Sequence, residues 1–320
     1  MRAAVVERYG PPESIRLAEL PEPEPRRGEV LVRVGAVAVT AADARLRSGR
    51  FPAGFGLLAR LGIGLRGPRR RVLGSALSGV VERLGPGVEG LSPGDEVAGM
   101  NGARLGAHAE LVPVPASALV VKPAGLGHAE AAGVLFGGTT ALHFLRDRAR
   151  LRPGASVLVN GASGAVGSSA VQLARHLGGE VTAVTSGRNR ELVARLGAER
   201  VVDYTTTPLS ALSERFDVVL DAVGNVGRVE GLGLLAPGGA LILAVASLAD
   251  TLRARGAVIA GSAPERAEDI ALLLRLAAEG ALDPVTEVMG GLDAVPEAHR
   301  RIDSGRKVGN LVVLPGRDDG

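Results

Sequence analysis

Residues 156–178 read SVLVNGASGAVGSSAVQLARHLG, and the rest of the chain is read outward from them. The stretch opens on an apolar run suited to a strand covered on both faces, and it closes on an amphipathic helix. Between the two, Gly161, Gly164 and Gly167 fall in a GxxGxxG spacing. Among 46 glycines a triplet is a weak signal by itself, and its position between strand and helix gives it meaning. Glycine is needed where a chain turns tightly, where its backbone must approach a pyrophosphate, and where a helix packs closely on a strand. The first N–H groups of the helix and its positive dipole end then face the phosphates. A second apolar strand, EVTAVT, follows at 180–185, so the unit is identified as dinucleotide-binding.

The end of that second strand distinguishes the two nicotinamide dinucleotides. An acid there binds the ribose 2′-hydroxyl of NAD, whereas arginine or polar groups accept the 2′-phosphate of NADP. The sequence is VTSGRNREL, with no acid before Glu191. Ser186, Arg188, Asn189 and Arg190 supply donors suited to a phosphate, and NADPH is the expected cofactor. Arg188 and Arg190 also stand at a helix start, where the dipole does not favour positive charge.

Outward from this unit the rhythm is strand, glycine turn, helix, strand. Further apolar strands are expected at 200–204, 217–224 and 240–247, with helices at 168–178, 190–197 and from 265 toward Pro284. Such alternation reads as a parallel sheet with crossover helices. Before Pro123 the pattern is short and β-like, at 30–39, 79–85, 95–100 and 109–115, separated by turn signals such as GPG at Gly85 and SPGD at Ser92. NLVVLP, from Asn310, again reads as a strand. At 320 residues two domains are expected, and the fold class is α/β.

Composition narrows the function classes. Apolar residues make up 46% and charged residues 22%, which supports a real core, while aromatics at 2% and no Trp leave that core to Ala, Val and Leu. The shortage of aromatics argues against nucleic acid as a partner, as does a net charge of only +3. No cysteine is present, which removes disulfides, thiolate nucleophiles and every Cys-containing zinc site. The start, MRAAVVERYG, is unlike a signal peptide and no apolar run reaches membrane-spanning length, so a cytoplasmic location without a membrane partner is expected. One local feature stands apart. Arg45, Arg47, Arg50, Arg60, Arg66, Arg69, Arg70 and Arg71 follow Asp43 with no acid among them. The run is either a solvated loop or an electropositive rim, and with Phe51, Phe55, Leu57, Leu58, Leu61 and interspersed glycines it suits a mobile lid over an elongated apolar ligand with an anionic end.

By its segments the chain resembles the zinc-independent medium-chain dehydrogenase/reductases, the family of quinone oxidoreductases, zeta-crystallin and polyketide enoyl reductase modules. The matching segments include DARLRSG at Asp43, LGSALSGVVERLGPGVEGLSPGDEVAG at Leu73, GGTTALHFL at Gly137, FDVVLDAVGN at Phe216 and LLAPGGALIL at Leu234. The resemblance implies a GroES-like β domain over 1–124, completed by 262–320, and a Rossmann doubly wound parallel-sheet domain over 125–261. It places Thr140 and His143 against the cofactor, and the turn Gly161, Ala162, Gly164, Ala165, Val166, Gly167 at the pyrophosphate. Ser186, Asn189 and Tyr204 would meet the 2′-phosphate with Arg306 closing over it, and Val223, Gly224, Ala244 and Val245 complete the cofactor set. Relatives often carry lysine at Asn189, which leaves Arg188 or Arg190 as the charge partner. Zinc-binding members use an early Cys and a GHE triplet; here the triplet is Gly74, Ser75, Ala76, and the five histidines lack ligand spacing, so no metal is expected. Thr40 and Phe51 stand where quinone oxidoreductases commonly show Asn and Tyr, and they join Asp43 as candidates for the substrate pocket. The expected activity is hydride transfer from NADPH to a small electrophile, a quinone or an α,β-unsaturated carbonyl, by a homodimer paired along the sheet edge near ALILAVAS. The alternatives are an enoyl-thioester reductase and a non-catalytic NADPH-binding sensor.

Overall fold

The computed structural model describes residues 1–316. The chain begins with an antiparallel pair, β1 (Arg2–Val6) and β2 (Ile15–Glu19), followed by the long strand β3 (Glu29–Val39). Two helices, α1 (Ala41–Ser48) and α2 (Gly56–Ile63), interrupt the expected all-β start before β4 (Ala76–Leu84), β5 (Glu96–Met100), β6 (Leu111–Pro115) and β7 (Leu119–Val121). Then come α3 (His128–Leu142), β8 (Ser156–Asn160), α4 (Ala165–His176), β9 (Glu180–Thr185), α5 (Arg190–Arg195), β10 (Arg200–Asp203) and β11 (Phe216–Asp221). The last stretch holds α6 (Arg228–Gly233), β12 (Leu235–Leu243), α7 (Leu248–Leu252), β13 (Val258–Ala260), α8 (Ala267–Ala278), β14 (Thr286–Gly290), α9 (Val295–Asp303) and β15 (Asn310–Val313).

Six strands form one parallel sheet in the order β10-β9-β8-β11-β12-β13. Numbered from β8 this is the order 3-2-1-4-5-6, in which the chain crosses from its third strand to its fourth and the order reverses between the first and fourth strands. The strand sequences explain why helices cover both faces. Val157, Val159, Val218, Leu220 and Ile242 point into a core shared with α3, α4 and α8, while Leu158, Val219, Leu241 and Leu243 point into a second core on the opposite side. The helices end where glycine allows it: Gly178 and Gly197, after α4 and α5, adopt φ of 85° and 110°.

The other large sheet runs β14-β15-β3-β4-β5-β7, with β6 also paired to β3. Its core is almost wholly aliphatic: Val30, Val32, Val34, Val37 and Val39 of β3 meet Leu73, Leu77, Val112, Val114, Leu311 and Val313. The C-terminal strands therefore pair with the N-terminal half of the chain, and β15 lies antiparallel to β3. ALILAVAS ends its strand at Leu243, and the short β13, which the sequence pattern did not single out, takes the edge of the parallel sheet beyond it.

Candidate cofactor and substrate site

Each glycine of the turn after β8 has a distinct structural duty. Gly161 holds φ at +79°, a left-handed value that other residues adopt only with strain. Gly164 stands at the N-cap of α4 in extended conformation. At Gly167 a Cβ atom would lie 2.1 Å from the Gly161 carbonyl oxygen, so only glycine lets the first turn of α4 approach the loop this closely. The turn is also crossed from outside, where the Gly309 N–H donates to the Ser163 carbonyl at 2.8 Å and brings the segment before β15 against it.

The neighbouring strand end is braced by a residue absent from the sequence reading. The buried Asp221 carboxylate accepts from the Asn160 side-chain amide at 2.9 Å and from the N–H groups of Val223, Gly224 and Val226 at 3.0 to 3.2 Å. Asn160 also donates to Asn225 at 2.7 Å. Asn160 and Asp221 are register partners at the carboxyl ends of β8 and β11, where the strand order reverses and nucleotide crevices form. The visible signal was a polar residue closing each of two strands with apolar centres, Val157 to Val159 and Val218 to Leu220.

A cavity of about 550 Å³ opens at this point, lined by Asn160, Gly161, Ser163, Gly164, Ala222, Val223 and Asn225 on the strand-end side. Ser186, Arg188, Asn189 and Tyr204 continue its wall, and Ala41, Ile302, Arg306 and Lys307 close it from the other half of the chain. Three cationic side chains, Arg188, Arg306 and Lys307, face it against one acid, Glu230. Tyr204 and Val223, 58% and 51% exposed, leave apolar surface open in the crevice. The Asn189 amide is already engaged, donating to Ser163 Oγ at 3.0 Å and Ser186 Oγ at 3.3 Å. Burial pushes the Lys307 ammonium down to about 8, and the group donates to the Gly309 carbonyl. As one of only two lysines, Lys307 was visible in the sequence but carried no motif.

Other expected cofactor residues sit behind or beside this wall. Ala162 is buried beneath the turn, and Ala165 and Val166 form the first turn of α4. A Cβ on Gly224 would meet Val245, which places these two together after β11 and β12, and the Ala244 N–H donates to the Asp221 carbonyl. Arg190 is exposed at the start of α5 and contributes to holding the Asp203 carboxyl below its usual range, mainly an effect of Thr205. Thr140 and His143 do not line the cavity. The Thr140 hydroxyl donates to the Phe136 carbonyl at 2.8 Å, and buried His143 faces Asp147 at 3.3 Å on the π-helical turn that continues α3.

A second cavity, about 480 Å³, lies on the other side of the first turn of α1: Thr40 and Ala42 line it, while Ala41 lines the first. Leu46, Ile63, Pro68, Ala76, Met100 and Phe136 make it apolar, with Arg69, Arg70 and Glu265 as its charged members besides Asp43. Asp43 is fully engaged. Its carboxylate accepts from the Thr40 N–H at 2.8 Å, the Thr40 hydroxyl at 2.6 Å and the Gly74 N–H at 2.9 Å, a capping box that ties α1 to the segment before β4. Ser75 Oγ is buried with no hydrogen-bond partner among the described residues. Burial raises the Glu265 carboxyl, and a bond from the Gly102 N–H opposes the shift. Phe51 is half-buried outside this lining, and the Leu248 N–H donates to nearby Ala53 at 2.9 Å.

Zinc does not suit this donor set. The chain has no thiolate, Asp43 is committed to Thr40 and Gly74, and no group of three His, Asp or Glu among the described residues is arranged to hold a metal ion.

A parallel nucleotide-binding sheet joined to a β domain, with a polar cationic cavity beside an apolar one, defines the dehydrogenase/reductase class. Residues 26–124 match the alcohol dehydrogenase GroES-like domain, and residues 196–313 match a family described as zinc-binding dehydrogenase. The chain is 30% identical over 319 residues to the 2-methylene-furan-3-one reductase of Solanum lycopersicum, covering 96% of this chain and 77% of that one. It is 34% identical over 234 residues to the chloroplastic NADPH-dependent alkenal/one oxidoreductase of Arabidopsis thaliana, where the match covers 70% of this chain and 58% of that protein. The quinone oxidoreductase of Coxiella burnetii has the same fold, with a TM-score of 0.88 at 27% identity, covering 98% of this chain and 99% of that one. The chain belongs to the medium-chain dehydrogenase/reductases, in their quinone oxidoreductase branch.

Proposed function

We propose that this protein is an NADPH-dependent oxidoreductase that reduces a quinone or an α,β-unsaturated carbonyl without a metal ion. The observation that carries the reading is the pairing of two cavities across one turn of α1, one cationic and set at the strand-order reversal, the other apolar. The names of the relatives, a furanone reductase and an alkenal/one oxidoreductase, point to the same substrate class. Gly161, Gly164 and Gly167 would hold the pyrophosphate. Ser186, Arg188, Tyr204, Arg306 and Lys307 would hold the 2′-phosphate end, with Arg190 outside the lining. Bound there, NADPH supplies the hydride. The protein contributes position and an apolar, water-poor cleft for an electrophile that needs no Lewis acid. Ser75, a buried hydroxyl without a partner, is the donor offered to a substrate carbonyl oxygen, and Asp43 fixes the loop that carries it. We further propose domains at 1–124 with 262–320 and at 125–261, in line with sheet membership, a homodimer joined at the β13 edge, and a cytoplasmic location.

A screen of NADPH oxidation against quinones, enones and enals tests the reading. Turnover of at least one class is expected. Silence on all of them alongside tight NADPH binding would establish the non-catalytic alternative, and turnover of CoA or carrier-protein thioesters alone would establish an enoyl-thioester reductase.

A further inference from the structure

We propose that α2 and the arginines around it dock this protein onto an anionic lipid bilayer, with the leucines of α2 entering the headgroup boundary. Helix α2 has no buried residue. Leu57, Leu58 and Leu61 are 73%, 56% and 55% exposed, and Leu65, just beyond the helix, is 67% exposed. Positions i, i+1 and i+4 share one stripe of a helix, so these side chains form a continuous apolar patch of a kind that marks interaction sites.

The charge around the patch identifies the occupant. Residues 44–81 contain eight arginines and no Asp or Glu. Arg50, Arg60, Arg66, Arg69, Arg70 and Arg71 are exposed. Among the described residues the ion pair within this set joins Arg71 to Glu7, at 3.5 Å. Arg69 folds back to the carbonyls of Leu61 and Gly62 at 3.3 Å, placing its charge at the end of the leucine stripe. Aliphatic side chains beside unpaired arginines complement a layer with an apolar interior and anionic headgroups. A second copy paired two-fold through this face would set the same arginines against each other, and a nucleic-acid backbone would leave the leucines in water.

The patch is also held on a firm base. Ala53 accepts from the Leu248 N–H at 2.9 Å, and the Tyr9 hydroxyl donates to the Gly64 carbonyl at 2.6 Å. Gly62, Ile63, Pro68, Arg69 and Arg70 of the same segment line the apolar cavity, so a lipophilic substrate dissolved in the bilayer would reach the cavity past this segment. That last step rests on the reductase reading; the docking does not. No helix among the described residues is long and apolar enough to cross a membrane, and the contact proposed is with the surface alone.

Flotation of the full chain with vesicles of phosphatidylcholine, and of phosphatidylcholine with phosphatidylglycerol, tests the proposal. Binding to the anionic vesicles alone is expected, weakening with salt. The chain has no Trp, so Leu58→Trp gives a single fluorescent reporter whose emission should shift to the blue on anionic vesicles only. Leu57→Ser with Leu61→Ser should reduce the bound fraction to the phosphatidylcholine level while leaving thermal melting and NADPH affinity unchanged. No flotation with anionic vesicles, or flotation that survives the serine substitutions, overturns the proposal. So does concentration-dependent self-association in light scattering that the same substitutions abolish, since a second copy would then cover the patch. Vesicle binding is read without turnover, so its failure leaves the reductase reading standing, and an inactive protein leaves the docking standing.

Discussion

Replacing Arg188 with alanine should weaken NADPH binding while leaving NADH almost untouched, and replacing Arg190 should do much less. The two arginines are close in sequence, Arg188 in the short helical turn before α5 and Arg190 at the start of α5, yet the structure separates them. Arg188 lines the cavity with Ser186, Asn189 and Tyr204. Arg190 lies outside that lining, and part of its field falls on Asp203. Asn189 is already bonded to Ser163 and Ser186, so it offers little spare donor capacity in compensation. A hydrogen bond to a charged group contributes about 1.5–3 kcal/mol, which at about 1.4 kcal/mol per decade corresponds to a roughly 10- to 150-fold rise in the Kd for NADPH. A charge acting only through water is worth about 1 kcal/mol or less, so Arg190→Ala should cost about fivefold at most. Isothermal titration of both dinucleotides into the parent and the two variants, at low and moderate salt, measures all of these. Equal losses for NADPH and NADH on Arg188→Ala would refute the assignment, as would an Arg190→Ala loss as large as that of Arg188→Ala.

The glycine turn gives a paired test: at Gly167 an added Cβ meets the Gly161 carbonyl oxygen at 2.1 Å, whereas at Gly164 it meets the same atom at 3.5 Å. Gly167→Ala should therefore cost about 1–3 kcal/mol or more and abolish NADPH binding, while Gly164→Ala should keep its melting temperature; thermal melts with and without cofactor separate them. Asp43→Ala leaves the Thr40 and Gly74 N–H groups unpaired, so a loss of about 2–5 kcal/mol of stability in denaturant titration is expected, and because the loop carrying Ser75 loses its anchor, turnover per folded molecule should fall as well. Lys307, lowered to about 8, is mostly charged at neutral pH and loses its proton as pH rises through that value. Because the anionic cofactor favours the charged form, NADPH affinity should fall above that pH, by about tenfold per unit at most, and Lys307→Met should flatten the profile. Metal analysis should find no stoichiometric zinc, and chelators should leave turnover unchanged.

The parallel sheet was legible because its physics is local. A strand covered on both faces must be apolar throughout, and a close phosphate turn must be glycine, so residues 156–167 and 180–185 carry their own explanation. The bracing of the site was less legible. Asp221 binds backbone N–H groups of the loop that follows it and an amide from a different strand, a set assembled only when β8 and β11 come into register. Lys307 reaches the cavity because β15 returns to pair with β3 and carries the preceding segment across the glycine turn. Neither fact has a spacing that sequence alone exposes.

The same distinction explains α2. An apolar run between arginines has two readings from sequence, a lid folded over a ligand or a loop in water, because helical periodicity states which residues share a face without saying what the face meets. Fixed at Leu248 on one side and Tyr9 on the other, the segment turns the leucine face outward and the Ile63 and Pro68 side toward the cavity. One segment thus borders the apolar cavity and presents exposed leucines to the surroundings. A change on the leucine face should alter where the protein resides, whereas a change at Ile63 should alter what it binds.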